Sequence, residues 1–374
     1  MKLLSISLTI LLFFCQVLTV SASENEAYEE YLKDQKAFEE YAKQQNEAFA
    51  SYLDEQERDF EKFQAEIKQK WGEFLGSSQK EWVSYDEDKM SRSFVDFENG
   101  TVTIDVLLPV EQKQPVKVAE KKIKEQLKKT LSNQWPTKKN PLAGQVLVQK
   151  KEPLSQKNIE TFVQKELKPK IKVTKLPPTK DKVQKQKISV SFELVPEHLK
   201  VRAEQYKPMV LKYSSKRNID PSVIFGMIHT ESCFNPMARS HIPAYGLMQI
   251  VPKSGGVDAY EFVYKKKKVP SPKSLYQPDF NIQLGIGYVD KIKNVYFKGV
   301  NNETSAYLMT VAAYNTGIGN VSKAFTGKTV LSPAIKRANT MTPKQVHEQL
   351  MDHLTYEEPK DYMRRVFSRS KMYR

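Results

Sequence analysis

The sequence predicts an α+β fold class: a small α+β domain preceded by a long amino-terminal helix, followed by a mainly helical carboxy-terminal domain. Three observations predict it. At 374 residues the chain exceeds the roughly 250–300 residues at which a single core stops growing. Alternating, strand-like segments are confined to its middle, whereas from Pro196 onward apolar residues recur at helical spacing between glycine-containing turns. Charge is unevenly spread as well. Residues 24–70 carry 14 acidic and 7 basic side chains, while residues 111–190 carry 21 lysines, no arginine and 7 acids. The expected division is 1–22, 23–70, 71–196 and 197–374.

The opening "MKLLSISLTILLFFCQVLTVSAS" joins a lysine to an apolar run and then places Val20 and Ala22 where a small-residue cleavage site wants them. Residues 1–22 read as a secretory signal peptide. The apolar run also approaches the roughly 18 residues that span a bilayer, so an uncleaved anchor is the competing reading. Phe13 and Phe14 precede Cys15, where a lipidation signal wants small residues, which argues against a lipoprotein. Cleavage after Ala22 leaves Cys233 alone and excludes an intramolecular disulfide. The expected location is the periplasm of a Gram-negative-type envelope, with membrane association left open.

In residues 23–70, Tyr28, Phe38, Phe49 and Phe60 are each followed three residues on by Tyr31, Tyr41, Tyr52 and Phe63. A spacing of about 11 residues keeps such pairs on one helical face. The stripe reads as a packing surface, for a protein partner or self-association. In residues 71–196, "SRSFVDFENGTVTIDVLLP" alternates on both sides of Asn99-Gly100 and predicts a β-hairpin. "LAGQVLVQK" and "KISVSFELV" read as strands, and "VAEKKIKEQLKKTL" as a helix with Val118, Ile123, Leu127 and Leu131 on its apolar side. Lysine and proline density from Lys165 to Lys187 marks a flexible loop. The lysine field would attract any polyanion. Without arginine it lacks the bidentate contacts of base readers, and no nucleic-acid partner is expected.

The most informative helix follows Asp220, a good N-cap, and Pro221, suited to the first turn. Val223, Ile224, Met227 and Ile228 form its apolar face, and Glu231 falls on that same face. Burial and the carbonyl end of the helix both favour the neutral acid. That suits a general acid near neutral pH; pairing with an arginine at the helix end is the plainer reading. Downstream stand "NPMARS", "AYGLMQIVP" and "TVAAYNTGIGNV", each weak alone.

In this order, "ES.FNP…GLMQ…AYN.G" resembles the lytic murein transglycosylases over roughly Pro196 to the carboxyl terminus, and residues 71–107 resemble the amino-terminal domain of a membrane-bound member. The resemblance implies a lysozyme-like, goose-type catalytic domain, a peptidoglycan substrate and no cofactor or metal. It also implies cleavage of the MurNAc-β-1,4-GlcNAc bond without water, the muramyl 6-hydroxyl attacking its own anomeric carbon to leave a 1,6-anhydro end. Glu231 matches the catalytic acid/base. Ser240, Met248, Gln249, Tyr314, Asn315 and Tyr362 match positions near the sugar. Turn or core roles stand beside these for Ser240, Asn315 and Tyr362. Asp258 is the nearest candidate for a second acid, or a surface or capping aspartate. Ile242 replaces a serine of some relatives. Cys233 and His241 read as structural. A hydrolytic muramidase and a non-catalytic peptidoglycan-binding protein are the alternatives.

Overall fold

The computed structural model describes residues 33, 40, 55, 57–177 and 183–374. The signal-peptide stretch and most of the aromatic repeat therefore lie outside the described residues. The chain divides into two compact units, 1–69 and 70–374. In the first, residues 57–69 are helical and include Phe60 and Phe63.

The second unit begins with a sheet in the spatial order β1 (Glu81–Tyr85), β2 (Ser91–Asp96), β3 (Thr101–Pro109), β5 (Lys185–Glu193), β4 (Lys172–Lys175). Every neighbouring pair is antiparallel. Helix α1 (Pro115–Ser132) covers one face, and its Ala119, Ile123 and Leu127 share a core with Val95, Ile104, Val106 and Ile188. The hairpin forms where Asn99-Gly100 predicts it, with Asp96 opposite Thr101. Its loop is longer than a two-residue turn: residues 97–100 intervene, and of the dipeptide only Gly100 takes a positive φ, 68°. Asp96 explains this. Its Oδ1 accepts the backbone N–H groups of Glu98 and Asn99 at 3.0 and 2.9 Å, which organises the turn from its first residue.

Two expectations for this region are corrected. "LAGQVLVQK" yields only a two-residue strand, Leu147–Val148 against Glu152–Pro153, because turns occupy the rest. The lysine- and proline-rich stretch is not simply a loop. Lys172–Lys175 pairs with β5 as an edge strand, a position where lysines are tolerated because one side faces solvent.

The remainder is helical: α2 (His198–Ser215), α3 (Pro221–Ser232), α4 (Val257–Tyr264), α5 (Pro278–Asp290), α6 (Glu303–Thr316), α7 (Ile318–Thr326), α8 (Leu331–Asn339), α9 (Pro343–His353) and α10 (Glu357–Ser370). α2 remains helical through Pro208. A second core gathers Tyr206, Ile224, Met227, Ile228, Met309, Ala312, Tyr362 and Val366 from α2, α3, α6 and α10. At Gly226 the backbones of α3 and α10 nearly touch: a Cβ there would lie 2.6 Å from the carbonyl oxygen of Val366. Arg202 of α2 is fully buried, its guanidinium 3.5 Å from the ring centroid of Phe97 in the sheet core.

Candidate active site

The helix that carries Glu231 starts as its sequence dictates. Asp220 Oδ1 accepts the N–H of Ser222 at 2.8 Å, and Pro221 occupies the first turn. Val223, Ile224, Met227 and Ile228 are buried, and Glu231, on the same stripe near the last turn, is half-buried. Cys233 (φ 48°) and Phe234 (φ 61°) are then both left-handed, a costly pair for side chains with a Cβ. They turn the chain sharply just beyond the carboxylate.

Burial pushes the Glu231 carboxyl up to about 8, and the charge of Glu358 adds to the effect. The Tyr362 hydroxyl, Arg365 and Lys80 work in the opposite direction. Tyr362 is itself buried, and burial together with the Glu231 charge holds its phenol well above the usual range. Its hydroxyl influences the carboxyl without the geometry of a full hydrogen bond to any described group. Tyr314 is raised by burial and then by the charge of Glu231. The glutamate is thus within electrostatic reach of tyrosines from α6 and α10, and its burial favours the neutral acid.

The other predicted residues fall into two groups. Gln249, Tyr314 and Asn315 line one cavity of about 250 Å³, with Val251, Ser254, Gly255 and Tyr288. Tyr314 Oη donates to the Met248 carbonyl at 2.8 Å. Gln249 Nε2 donates to the carbonyls of Gly246 and Ala238 at 2.8 and 3.2 Å. Asn315 Nδ2 donates to Glu358 Oε1 at 2.8 Å. Gln249 Oε1 and Asn315 Oδ1 are buried and bonded to no described group.

Ser240 and Met248 are placed differently. Ser240 braces its own loop, its hydroxyl donating to the Ile242 carbonyl and accepting from the Ala244 N–H. The Met248 side chain is fully buried against Gly285 in the core, so its backbone carbonyl is the part that meets Tyr314. Asp258, in the first turn of α4, pairs with Lys291 at 3.0 Å and accepts from Tyr296 Oη at 2.9 Å, a surface role without a capping bond. A larger cavity of about 590 Å³, lined by Trp82, Trp135, Met237 and Tyr276 among others, includes none of the predicted site residues.

Sequence reading missed Glu358, Tyr288 and Asn281. Glu358 lies four residues before Tyr362, one helical turn, and that spacing was the available signal. Tyr288 packs against Tyr314 at 5.6 Å between ring centroids, and burial pushes its phenol up to about 12. Asn281 is buried and bonds the Met248 N–H and the Tyr245 and Leu275 carbonyls, holding the "GLMQ" segment. Nothing in its local sequence announces that.

A carboxyl raised by burial at an apolar helix end acts through its charge on Tyr314, which lines the cavity that holds the two unbonded amide oxygens; Glu231 and Tyr362 are not among that cavity's lining residues. Comparison with known proteins gives this acid–base arrangement in a helical domain a family. A model described as "Transglycosylase SLT domain" matches residues 208–333, and one described as "Membrane-bound lytic murein transglycosylase C, N-terminal domain" matches residues 31–205. Membrane-bound lytic murein transglycosylase C of Salmonella typhimurium is 32% identical over 329 residues, covering 83% of this chain and 87% of the relative. That of Actinobacillus succinogenes is 31% identical over 325 residues with the same coverage. The chain therefore belongs to the membrane-bound lytic murein transglycosylase C family and is a lytic transglycosylase. Among solved structures, an inactive mutant of lytic transglycosylase Slt from Pseudomonas aeruginosa is 24% identical with a TM-score of 0.34, and the 70 kDa soluble lytic transglycosylase of Escherichia coli is 22% identical with a TM-score of 0.35. Each match covers 45% of this chain and 24% of the other.

Proposed function

We propose that the protein cleaves the MurNAc-β-1,4-GlcNAc bond of peptidoglycan without water, with Glu231 as the single general acid/base and a 1,6-anhydromuramyl end as the product. The observation that carries this is the half-buried Glu231 carboxyl, pushed up to about 8 within electrostatic reach of Tyr314 and Tyr362. As an acid it protonates the leaving glycosidic oxygen. As the resulting carboxylate it accepts the proton of the muramyl 6-hydroxyl while that oxygen closes on the anomeric carbon. An intramolecular nucleophile gains from proximity and dispenses with the second carboxyl that ordinary glycosidases use. Gln249 Oε1 and Asn315 Oδ1 would accept hydroxyl or acetamido N–H groups of the sugars, since buried acceptors ordinarily have partners. Ser240 would act from the loop that its own hydroxyl braces, and Met248 through its carbonyl.

Digestion of purified sacculi followed by mass spectrometry of the products tests this reading. Anhydromuramyl ends that appear with wild type and vanish with Glu231→Gln support it; reducing ends alone overturn it. One observation favours the hydrolytic alternative: Glu358, bonded to Asn315, is a second carboxylate whose charge reaches Glu231. In that case Glu358→Gln would abolish hydrolysis.

The same proposal extends to the rest of the chain. Residues 71–196 and 197–374 act as α+β and catalytic domains, in keeping with their two hydrophobic cores. Residues 1–22 direct export to the periplasm and residues 23–70 supply a partner or self-association surface. The relatives are described as membrane-bound, and among the described residues no helix is long and apolar enough to cross a membrane.

A further inference from the structure

The loop between β2 and β3 lies far from Glu231 in sequence, yet it reaches the end of the helix that carries it. Asp96 accepts two backbone N–H groups and fixes the turn from which Glu98 projects. Glu98 Oε1 receives Lys80 Nζ at 2.6 Å and Arg369 Nη2 at 2.7 Å. The other terminal nitrogen of the same guanidinium, Arg369 Nη1, donates to the carbonyl oxygen of His229 at 3.1 Å, two residues before Glu231. A cation at the carbonyl end of a helix is favoured by the helix dipole, and the forked guanidinium lets one side chain bridge both partners.

We propose that Glu98 is a positioning residue for the reaction: through Arg369 it holds the His229 carbonyl, and with it the last turn of α3 on which Glu231 stands. Three features make that turn responsive to the loop. Arg369 and Tyr362 are seven residues apart on α10, so the helix that presents Arg369 to α3 also presents the hydroxyl facing Glu231. The α3 and α10 backbones meet closely at Gly226 and leave little slack. Beyond Glu231 the two left-handed residues need outside support, and the sheet side supplies it: Cys233 is buried in the sheet core, and Asn235 Nδ2 donates to the Gln79 carbonyl at 3.3 Å.

Charge adds a signature that mere bracing would lack. The groups acting on Glu231 are Tyr362, Glu358 and Arg365 from α10, Tyr314 from α6 and Lys80 from the sheet side. Glu98 offsets Lys80 directly. Without that carboxylate, Lys80 would favour the charged form of Glu231 more strongly.

The test compares wild type, Glu98→Gln, Arg369→Met and the double variant on soluble glycan strands. We expect Glu98→Gln to lower kcat by about tenfold to a hundredfold, as small misplacements of reacting groups do, with KM within about twofold. The alkaline limb of its pH profile should move to lower pH, and backbone amides of residues 231–235 should exchange faster with deuterium. The double variant should lose no more than the worse single variant. A folded Glu98→Gln with wild-type kcat, pH limb and exchange overturns the proposal, as does an additive double variant. If Glu98→Gln does not fold, Arg369→Met carries the same expectations for kcat, KM and exchange, though not for the pH limb, since it removes a cation and leaves the Glu98 carboxylate facing Lys80. Variants that melt earlier yet keep kcat below their melting temperature make Glu98 structural only, and the proposal fails. It rests on Glu231 as the acid/base: wild type without anhydromuramyl product defeats that reading, while the exchange measurement judges the positioning independently.

Discussion

Tyr314 Oη donates a hydrogen bond to the backbone carbonyl of Met248 across 2.8 Å. Two short motifs far apart in the chain, "AYN" and "GLMQ", are thereby one structural unit, and the Tyr314 ring stands where the charge of Glu231 reaches it.

Glu231→Gln keeps the volume and removes the proton. Turnover of sacculi should fall by at least about 10²–10⁴, the usual worth of general acid–base catalysis, while sedimentation with sacculi persists. Undiminished release of soluble fragments would mean that another group carries the proton.

The pH profile follows from the raised carboxyl. The acid form acts first, so kcat/KM should fall as pH rises through about 8. Stability has a matching sign. A carboxyl raised from its ordinary 4.5 to about 8 in the folded state favours folding while protonated, and that contribution is lost as pH climbs between those values. The Tm advantage of Glu231→Gln over wild type should be small below pH 4.5, grow toward 8 and then level. A difference that does not vary with pH would contradict the shift.

Tyr362→Phe removes a hydroxyl that favours the charged form of Glu231. The alkaline limb should move to higher pH. Since that hydroxyl makes no full hydrogen bond, stability should change by no more than about 1 kcal/mol. A limb that moves to lower pH would reverse the assigned role.

Gly246→Ala tests the support under the "GLMQ" segment. Gly246 has φ 76°, and a Cβ would lie 2.3 Å from the Leu275 carbonyl oxygen and 2.4 Å from Asn281 Nδ2. Displacing Asn281 would break its bonds to Met248, Tyr245 and Leu275. Denaturant unfolding should show a loss of at least about 2 kcal/mol; a neutral result would mean the segment shifts freely.

Much of the fold was legible because it depends on local period and turn chemistry. The hairpin at Asn99-Gly100, α1 and the strand at "KISVSFELV" all stand where alternation or helical spacing places them. The edge strand Lys172–Lys175 was hidden because its pairing with β5 outweighs a lysine- and proline-rich composition that resembles a loop. The place of Glu231 on an apolar helix stripe was legible, and the fold leaves it half-buried there. Met248 showed the limit of motif reading: the sequence names the residue, and the packing against Gly285 decides that its carbonyl rather than its side chain faces Tyr314.

By itself the sequence determined the order of its parts, the helix that ends in a glutamate and the motifs that place the chain in its family, since periodicity, caps and spacing are local properties. Only the tertiary structure decided how high the Glu231 carboxyl is pushed, because desolvation comes from groups brought in by α6 and α10. It alone disclosed Glu358 and the Glu98–Arg369 bridge. Charges separated by hundreds of residues act on one another only when folding brings them within a few ångströms.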